Sequence, residues 1–321
     1  RLANHLIAAG VQKGARVAVF LDRTCELTIS LLSILKCGAT YVPLDPIYPR
    51  TRVEYVLADS GVEVVITRAG VREQLPAGEY RLVDLDAQRD AIARASSHAR
   101  SVDTAPSDAA YTIYTSGSTG QPKGVVVSHR SLANLLLSIG EHLRVRSTDV
   151  LVAVTTVSFD IAALELFLPL IAGAQTVLAS REEAADGLAL RSLLTSSRAT
   201  LLQATPVTWR LLLEAGWTAP AGFRAVCGGE VLPPDLARAL SPQVELWNVY
   251  GPTETTVWST AGRVDEVDGN ASIPIGHALA NTRLYVVDER LQPVPRGSIG
   301  ELLIAGVGVA LGYHDRPDLT A

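Results

Sequence analysis

Methionine is absent from the 321 residues. With no initiator at Arg1, a first segment already in helical pattern, and an end at Asp318-Leu319-Thr320-Ala321 that carries no stop signal, the expectation is a piece of a longer polypeptide. No apolar run approaches the ~20 residues that cross a bilayer, so no membrane partner is expected. Positive charge is in short supply: 28 Lys and Arg stand against 33 Asp and Glu, and no basic block occurs. That excludes a nucleic-acid scaffold, which needs a basic face against phosphates. Cysteine is limited to Cys25, Cys37 and Cys227, an odd number without metal-ligand spacing. They are expected as buried free thiols, which fits a reducing, cytoplasmic location. The 6 histidines form no H-x-x-x-H pair, which argues against zinc.

What is present is a globular composition, 48% hydrophobic and 19% charged. The length corresponds to about two domain equivalents. Short β-branched runs alternate with longer helical patterns. Strands are expected at 16–21, 62–67, 81–85, 111–115, 124–128, 150–155, 175–179, 200–203, 224–227 and 244–249. Helices are expected at 26–36, 132–142, 161–171, 188–196, 207–215 and 234–240. Such alternation implies doubly wound parallel sheets, and the strand count calls for two of them. Residues 1–258 are therefore expected to be two α/β sheet subdomains. From residue 259 to 321 the pattern turns to strands at 282–288 and 299–305 with Gly, Pro and Asp turns, expected as a barrel-like β unit. Residues 86–107, polar and rich in Ala, Ser and Arg, read as a surface connection.

The most informative segment is Tyr111–Gly124, YTIYTSGSTGQPKG. A strand runs into a Gly/Ser/Thr loop, then Lys123, then a second strand. Glycines permit tight backbone, hydroxyls and amides donate to phosphate oxygens, and the lysine adds positive charge. The Gly-Lys-Ser/Thr ending of a Walker A loop is missing and a strand follows instead of a helix. The loop contains no G-x-G-x-x-G, and the chain no G-x-S-x-G elbow.

YTSGSTGQPKG resembles, almost letter for letter, the phosphate-binding signature of adenylate-forming enzymes, and in particular of nonribosomal peptide synthetase adenylation domains. LKCGATYVPLD at Leu35–Asp45, NVYGPTE at Asn248–Glu254 and GELLIAGVGVALGY at Gly300–Tyr313 resemble further motifs of those domains, in the same order. The resemblance covers residues 1 to about 314. It implies two half-reactions: a carboxylate attacks the α-phosphorus of ATP, and the acyl group then passes to a thiol. Where two anions meet, charge neutralisation and positioning dominate catalysis.

By that resemblance, Thr115, Ser116, Gly117, Ser118, Thr119, Gly120 and Lys123 form the loop over the β- and γ-phosphates. Tyr250 stacks on adenine, Asn248 and Gly251 lie against the base, and Gly229 and Glu230 line the nucleotide. Thr253 contacts the α-phosphate and Glu254 holds Mg²⁺; Lys123, Thr253 and Glu254 are the expected catalytic group. Alone, Tyr250 reads as a half-buried aromatic at a strand end, and Glu254 as a first-turn helix carboxylate.

Phe159-Asp160 resembles the Phe-Asp motif of amino-acid-activating members. Locally Asp160 reads as a helix N-cap; by resemblance its carboxylate pairs with a substrate α-ammonium, a charge too costly to bury alone. The remaining pocket positions carry over as Ile161, Leu164, Gln203, Val226, Gly228, Val249, Val257 and Trp258. A one-residue slip would substitute Ala225 and Cys227 for Val226 and Gly228. The set resembles that of glycine-activating domains, and bulky Leu164, Gln203 and Trp258 leave little room beyond an α-carbon.

Leu311 stands where the last motif ordinarily has Arg. The ribose-binding motif, the hinge and the small C-terminal lid of the family do not occur within the sequence, so poor adenylation by the fragment itself is expected. Expected partners are the amino acid, the phosphopantetheine of a carrier protein, and condensation domains of the same synthetase. The rival readings are an acyl- or aryl-CoA ligase and a non-catalytic nucleotide-binding remnant.

Overall fold

The structure, a computed structural model, describes residues 1–116, 121–267 and 271–320. The loop residues Gly117, Ser118, Thr119 and Gly120 lie outside the described residues. The chain forms two compact units: Arg1–His129 with Thr156–Asp160 and Ala310–Ala321, and Arg130–Thr155 with Ile161–Val309.

The first unit is built on β1 (Arg16–Phe20), β2 (Thr40–Leu44), β3 (Val64–Thr67), β4 (Arg81–Asp84), β5 (Ala109–Thr115) and β6 (Lys123–Ser128). They align in the order β6-β5-β2-β1-β3-β4, and a late strand, Gly312–Tyr313, pairs outside β6. The inner strands are parallel, whereas β5 and β6 form an antiparallel hairpin with Thr115 opposite Lys123. β1 reads RVAVF without polar alternation because helices cover both faces. Ala18, Phe20, Val42, Leu44, Val53, Val56 and Val65 fill one of its cores.

The second unit carries β7 (Val150–Ala153), β8 (Gln175–Leu178), β9 (Leu201–Ala204), β10 (Arg224–Cys227), β11 (Glu245–Tyr250), β12 (Thr260–Arg263) and β13 (His277–Ala278). Their order is β13-β12-β11-β10-β9-β7-β8, parallel except for β12 and β13. After β7 the chain moves outward to β8 and then returns to the other side of β7 for β9. That reversal is a topological switch point, where open α/β sheets leave a crevice at the carboxyl ends of their strands. At the opposite ends, buried Arg224 pairs with Asp149 and donates to the Leu143 carbonyl at 2.7 Å.

The two mostly parallel sheets with helices are as expected, while the strand Thr40–Leu44 and the helix Arg50–Ser60 are additional to the expected elements. The segment after residue 259 differs from a barrel. β12 and β13 extend the second sheet, β14 (Thr282–Val287) and β15 (Glu301–Gly306) form an antiparallel pair, and Gly312–Tyr313 joins the first sheet. No closed barrel occurs among the described residues: β12, β13 and Gly312–Tyr313 complete existing sheet edges, and β14 and β15 pair with each other. Residues 86–107 contain a helix, Arg89–Arg94, and Asn4 ties down the residues beyond it by donating to the Ser96 and His98 carbonyls. Cys37 and Cys227 are buried, but Cys25 is exposed because it opens its helix on the solvent side.

Candidate functional site

In the first unit, β5 and β6 bring Thr115 and Lys123 to the two stems of the Gly/Ser/Thr loop. The helix Arg50–Ser60 braces both stems. Arg52 donates to the Tyr114 carbonyl at 3.3 Å, Tyr55 to the Pro122 carbonyl at 2.9 Å, and the Tyr114 hydroxyl to Asp59 at 2.6 Å. Thr115 is half-buried and Ser116 exposed. Lys123 Nζ donates to the Tyr313 hydroxyl.

The segment Thr156–Asp160 packs with this unit. Thr156 donates to the buried carboxylate of Asp45, whose other oxygen caps the Ile47 amide at 3.0 Å. Phe159 is exposed while Asp160 is buried. Tyr41 and Tyr111 stack with ring centres 5.3 Å apart. Burial, and then the negative charge of Asp160, push both phenols above their ordinary range. A buried carboxylate close enough to raise two buried phenols lies in a poorly solvated environment that favours a cationic partner.

In the second unit, strand alternation sorts the pocket candidates. Ala225 and Cys227 of β10 belong to the hydrophobic core together with Leu202 and Ala204 of β9. Val226 and its register partner Gln203 therefore face the other side. Burial pushes the Cys227 thiol up to about 12, with the charge of Glu230 adding to it. The slipped alternative thus falls into the core, and Val226 with Gly228 falls on the face shared by Gln203.

Gly228 sits against Val249 and Trp258: a Cβ there would lie 2.6 Å from the Trp258 ring and 2.6 Å from a Val249 methyl. Gly251 passes under the next segment, where a Cβ would lie 2.6 Å from the Val257 carbonyl and 2.8 Å from Trp258 Cα. The backbone above it is strained. Thr256 and Val257 both have φ of +63°, and the Trp258 amide donates to the Thr256 carbonyl at 2.8 Å. Two β-branched residues in the left-handed region form a γ-turn of the rare hand, a conformation retained only where the surroundings impose it. The Thr256 hydroxyl, donating to the Gly308 carbonyl at 2.7 Å, is one restraint.

Trp258 Nε1 donates to Gln203 Oε1 at 2.8 Å, and Gln203 Nε2 faces Glu165 Oε1 at 3.4 Å. Glu165 also accepts from the Val154 and Thr155 amides at 2.8 and 2.9 Å and from the Thr155 hydroxyl at 2.5 Å. Sequence reasoning passed over Glu165. Its signal was available: a single acid inside the apolar helix Ile161–Ala172, whose burial demands partners. Leu164, Val226 and Val257 are each 1% exposed, and Ile161 Cδ1 approaches the Gly229 Cβ position to 3.5 Å.

The nucleotide candidates of this unit lie within and after β11 and, for Gly229 and Glu230, just after β10. Tyr250, the last residue of the strand, is 42% exposed and presents its ring. Asn248 is buried and donates to the Pro274 carbonyl at 2.8 Å. Thr253 and Glu254 lie half-buried in a short 3₁₀ helix, Thr253–Thr255, and Gly229 and Glu230 are exposed. No cluster of three or more His, Cys, Asp or Glu suited to a metal occurs among the described residues. Mg²⁺ takes as few as one or two protein carboxylates beside substrate phosphates, so a single acid such as Glu254 is compatible with it. No helix among the described residues is long and apolar enough to cross a membrane.

Comparison with known proteins accounts for this geometry. The family model described as AMP-binding enzyme matches residues 1–314. A dimodular nonribosomal peptide synthase of Bacillus subtilis (strain 168) is 44% identical over all of this chain, which spans 14% of that protein. Among solved structures, a four-domain nonribosomal peptide synthetase bound to AMP and glycine is 40% identical with a TM-score of 0.87, covering 100% of this chain and 24% of that one. The N-terminal subdomain of Klebsiella oxytoca NpsA, in complex with 3-hydroxybenzoyl-AMSN, is 30% identical with a TM-score of 0.87, covering 100% of this chain and 81% of that one. The chain belongs to the AMP-binding enzyme family, and its relatives and structural neighbours are nonribosomal peptide synthetase adenylation domains.

Proposed function

We propose that this chain activates a small amino acid, glycine foremost, as its adenylate. One oxygen of the amino-acid carboxylate attacks the α-phosphorus of ATP, the bond to the bridging oxygen breaks, and pyrophosphate leaves. The phosphopantetheine thiol of a carrier protein then attacks the acyl carbon, the bond to the phosphate oxygen breaks, and AMP leaves, with condensation domains as the further partners. Lys123 and the loop between β5 and β6 neutralise the β- and γ-phosphates. Tyr250 offers a stacking face for adenine. Thr253 would orient the α-phosphate, and Glu254 would hold Mg²⁺, a source of positive charge for phosphoryl chemistry.

Asp160 would pair with the substrate ammonium. The observation that carries the substrate class is Trp258, fixed by Gln203 and pressed against Gly228. A large ring immobilised in that position limits the side chain to a hydrogen or a methyl, since packed walls deform poorly. The neighbour solved with AMP and glycine agrees with this reading. Amino-acid-dependent pyrophosphate exchange, run as a panel on the full-length natural polypeptide, tests it. Glycine should lead and alanine follow; preference for a large side chain would overturn it. Asp160→Ala should abolish the exchange, whereas an acyl- or aryl-CoA ligase would tolerate the change.

A further inference from the structure

The line Glu165–Gln203–Trp258 has a direction. An indole N–H can only donate, and an ionised carboxylate can only accept. Gln203 stands between them with one acceptor and one donor end, so only one orientation of its amide satisfies both neighbours. Glu165 is 0% exposed, and its second oxygen is committed to two backbone amides at the exit of β7. The carboxylate is thus held by the scaffold at the switch point, and the polarity it imposes passes through Gln203 to the ring.

We propose that Glu165 is a positioning residue: acting through the Gln203 amide, it holds the Trp258 indole in place and so sets the size limit of the substrate pocket. The proposal rests on reading Trp258 as a wall of that pocket. Glu165 touches neither substrate nor nucleotide in this scheme. Its influence comes from the order of donors and acceptors, not from bulk.

That order can be reversed without changing volume. In Glu165→Gln the new amide must keep its oxygen on the Val154 and Thr155 amides, leaving its NH₂ toward Gln203. Gln203 then turns its oxygen to that NH₂ and its own NH₂ to the indole, so two donors face each other and the ring loses its partner. Adding Gln203→Glu restores the order: the amide introduced at position 165 donates to one oxygen of the new carboxylate and Trp258 to the other. The buried charge has moved by one residue and the net charge is that of the wild type. Gln203→Glu alone sets two carboxylates against each other and should destabilise the fold.

Two readouts test this. The first is the ¹⁵N–¹H signal of the Trp258 indole in the 321-residue chain, assigned with Trp258→Phe. Glu165→Gln should shift the indole proton upfield and speed its exchange at least about tenfold; Glu165→Gln with Gln203→Glu should return both toward wild type. The second is calorimetric binding of glycyl- and leucyl-sulfamoyladenosine, stable aminoacyl-adenylate analogues. Glu165→Gln should cut the preference for the glycyl compound by about tenfold, the size of effect a pocket wall controls. The reversed pair should recover it, and in a Trp258→Phe background Glu165→Gln should have no further effect on it. An unchanged indole signal in Glu165→Gln, or no recovery in the reversed pair, overturns the proposal. If Glu165→Gln does not fold, the reversed pair decides: a folded protein with a wild-type indole signal supports the relay, and failure of that variant to fold overturns it. A wild type that prefers the leucyl analogue, with an indole that still responds to Glu165→Gln, defeats the glycine reading and leaves the relay standing.

Discussion

Lys123 Nζ donates to the Tyr313 hydroxyl at 2.6 Å and lies 4.1 Å from the centre of the same ring. The two residues are 190 positions apart, yet β6 and the Gly312–Tyr313 strand are paired neighbours. The ammonium therefore has both a polar and a π partner on one side chain, and in the proposed function incoming phosphates would compete with them. Tyr313→Phe keeps the ring and removes the hydroxyl. We predict about fivefold tighter ATP·Mg²⁺ binding, corresponding to ~1 kcal/mol for the lost bond. Calorimetry that shows unchanged or weaker binding would contradict this.

Gly251→Ala should be costly for a reason unrelated to helix or strand propensity. Its Cβ would meet backbone atoms of Val257, Ser259 and Trp258 at 2.6–2.8 Å, and backbone in a strained turn has nowhere to go. A loss of roughly 1–3 kcal/mol is expected, read as a lower midpoint in urea. The indole of Trp258 should shift as well. A fully stable variant would mean that the γ-turn can relax.

The cysteines should differ in reactivity. Burial raises the Cys37 thiol to about 11 and the Cys227 thiol to about 12, while Cys25 is exposed. Since the thiolate is the reactive form, a native chain treated with a disulfide reagent at about pH 8 should show one fast equivalent. Denaturation should release the other two. Three fast equivalents in the folded state would refute the assignment.

His129 gives the stability a dependence on mild acid. Burial holds its imidazole below the ordinary histidine value, against the opposing pull of Asp108. Below about 6.5 the unfolded chain therefore binds the proton more readily than the folded one, and unfolding is favoured as pH falls. Stability is full above that value and declines beneath it. The urea midpoint should drop between about pH 7 and pH 5.5, and less so in His129→Gln. Equal drops in the two proteins would assign the effect elsewhere.

Much of the molecule can be read from its letters because the motifs are local. Tyr111–Gly124 announces two strands joined by a Gly/Ser/Thr loop, and β5 and β6 are those strands, paired antiparallel. Alternation in β10 puts Ala225 and Cys227 in the core and Val226 on the opposite face with Gln203, although that step requires knowing which face the helices cover. Other features depend on distant partners. The brace from Arg52, Tyr55 and Asp59 to the loop stems joins segments about 60 residues apart. Glu165 stands out in the sequence as the single acid of an apolar helix, but its partners after β7 and in β9 show only in the fold. The barrel expectation failed for the same reason: strand pattern gives extended segments at 282–288 and 299–305 but not their partners, and the short Gly312–Tyr313 strand is outside that pattern. Nothing in the structure explains Leu311 in place of arginine; its side chain is exposed and its amide donates to the Val126 carbonyl at 2.8 Å.

The Gly312–Tyr313 strand also bears on how the chain is made. It closes the outer edge of β6, a strand translated almost 190 residues earlier. While the ribosome is still producing the second unit, that edge shows unpaired amides and carbonyls beside the apolar run Val125–Val127, the kind of surface that recruits another nascent chain. Synthesis of the Gly312–Tyr313 strand thus caps an aggregation-prone edge, and a chain stopped before residue 312 would leave it open throughout its life.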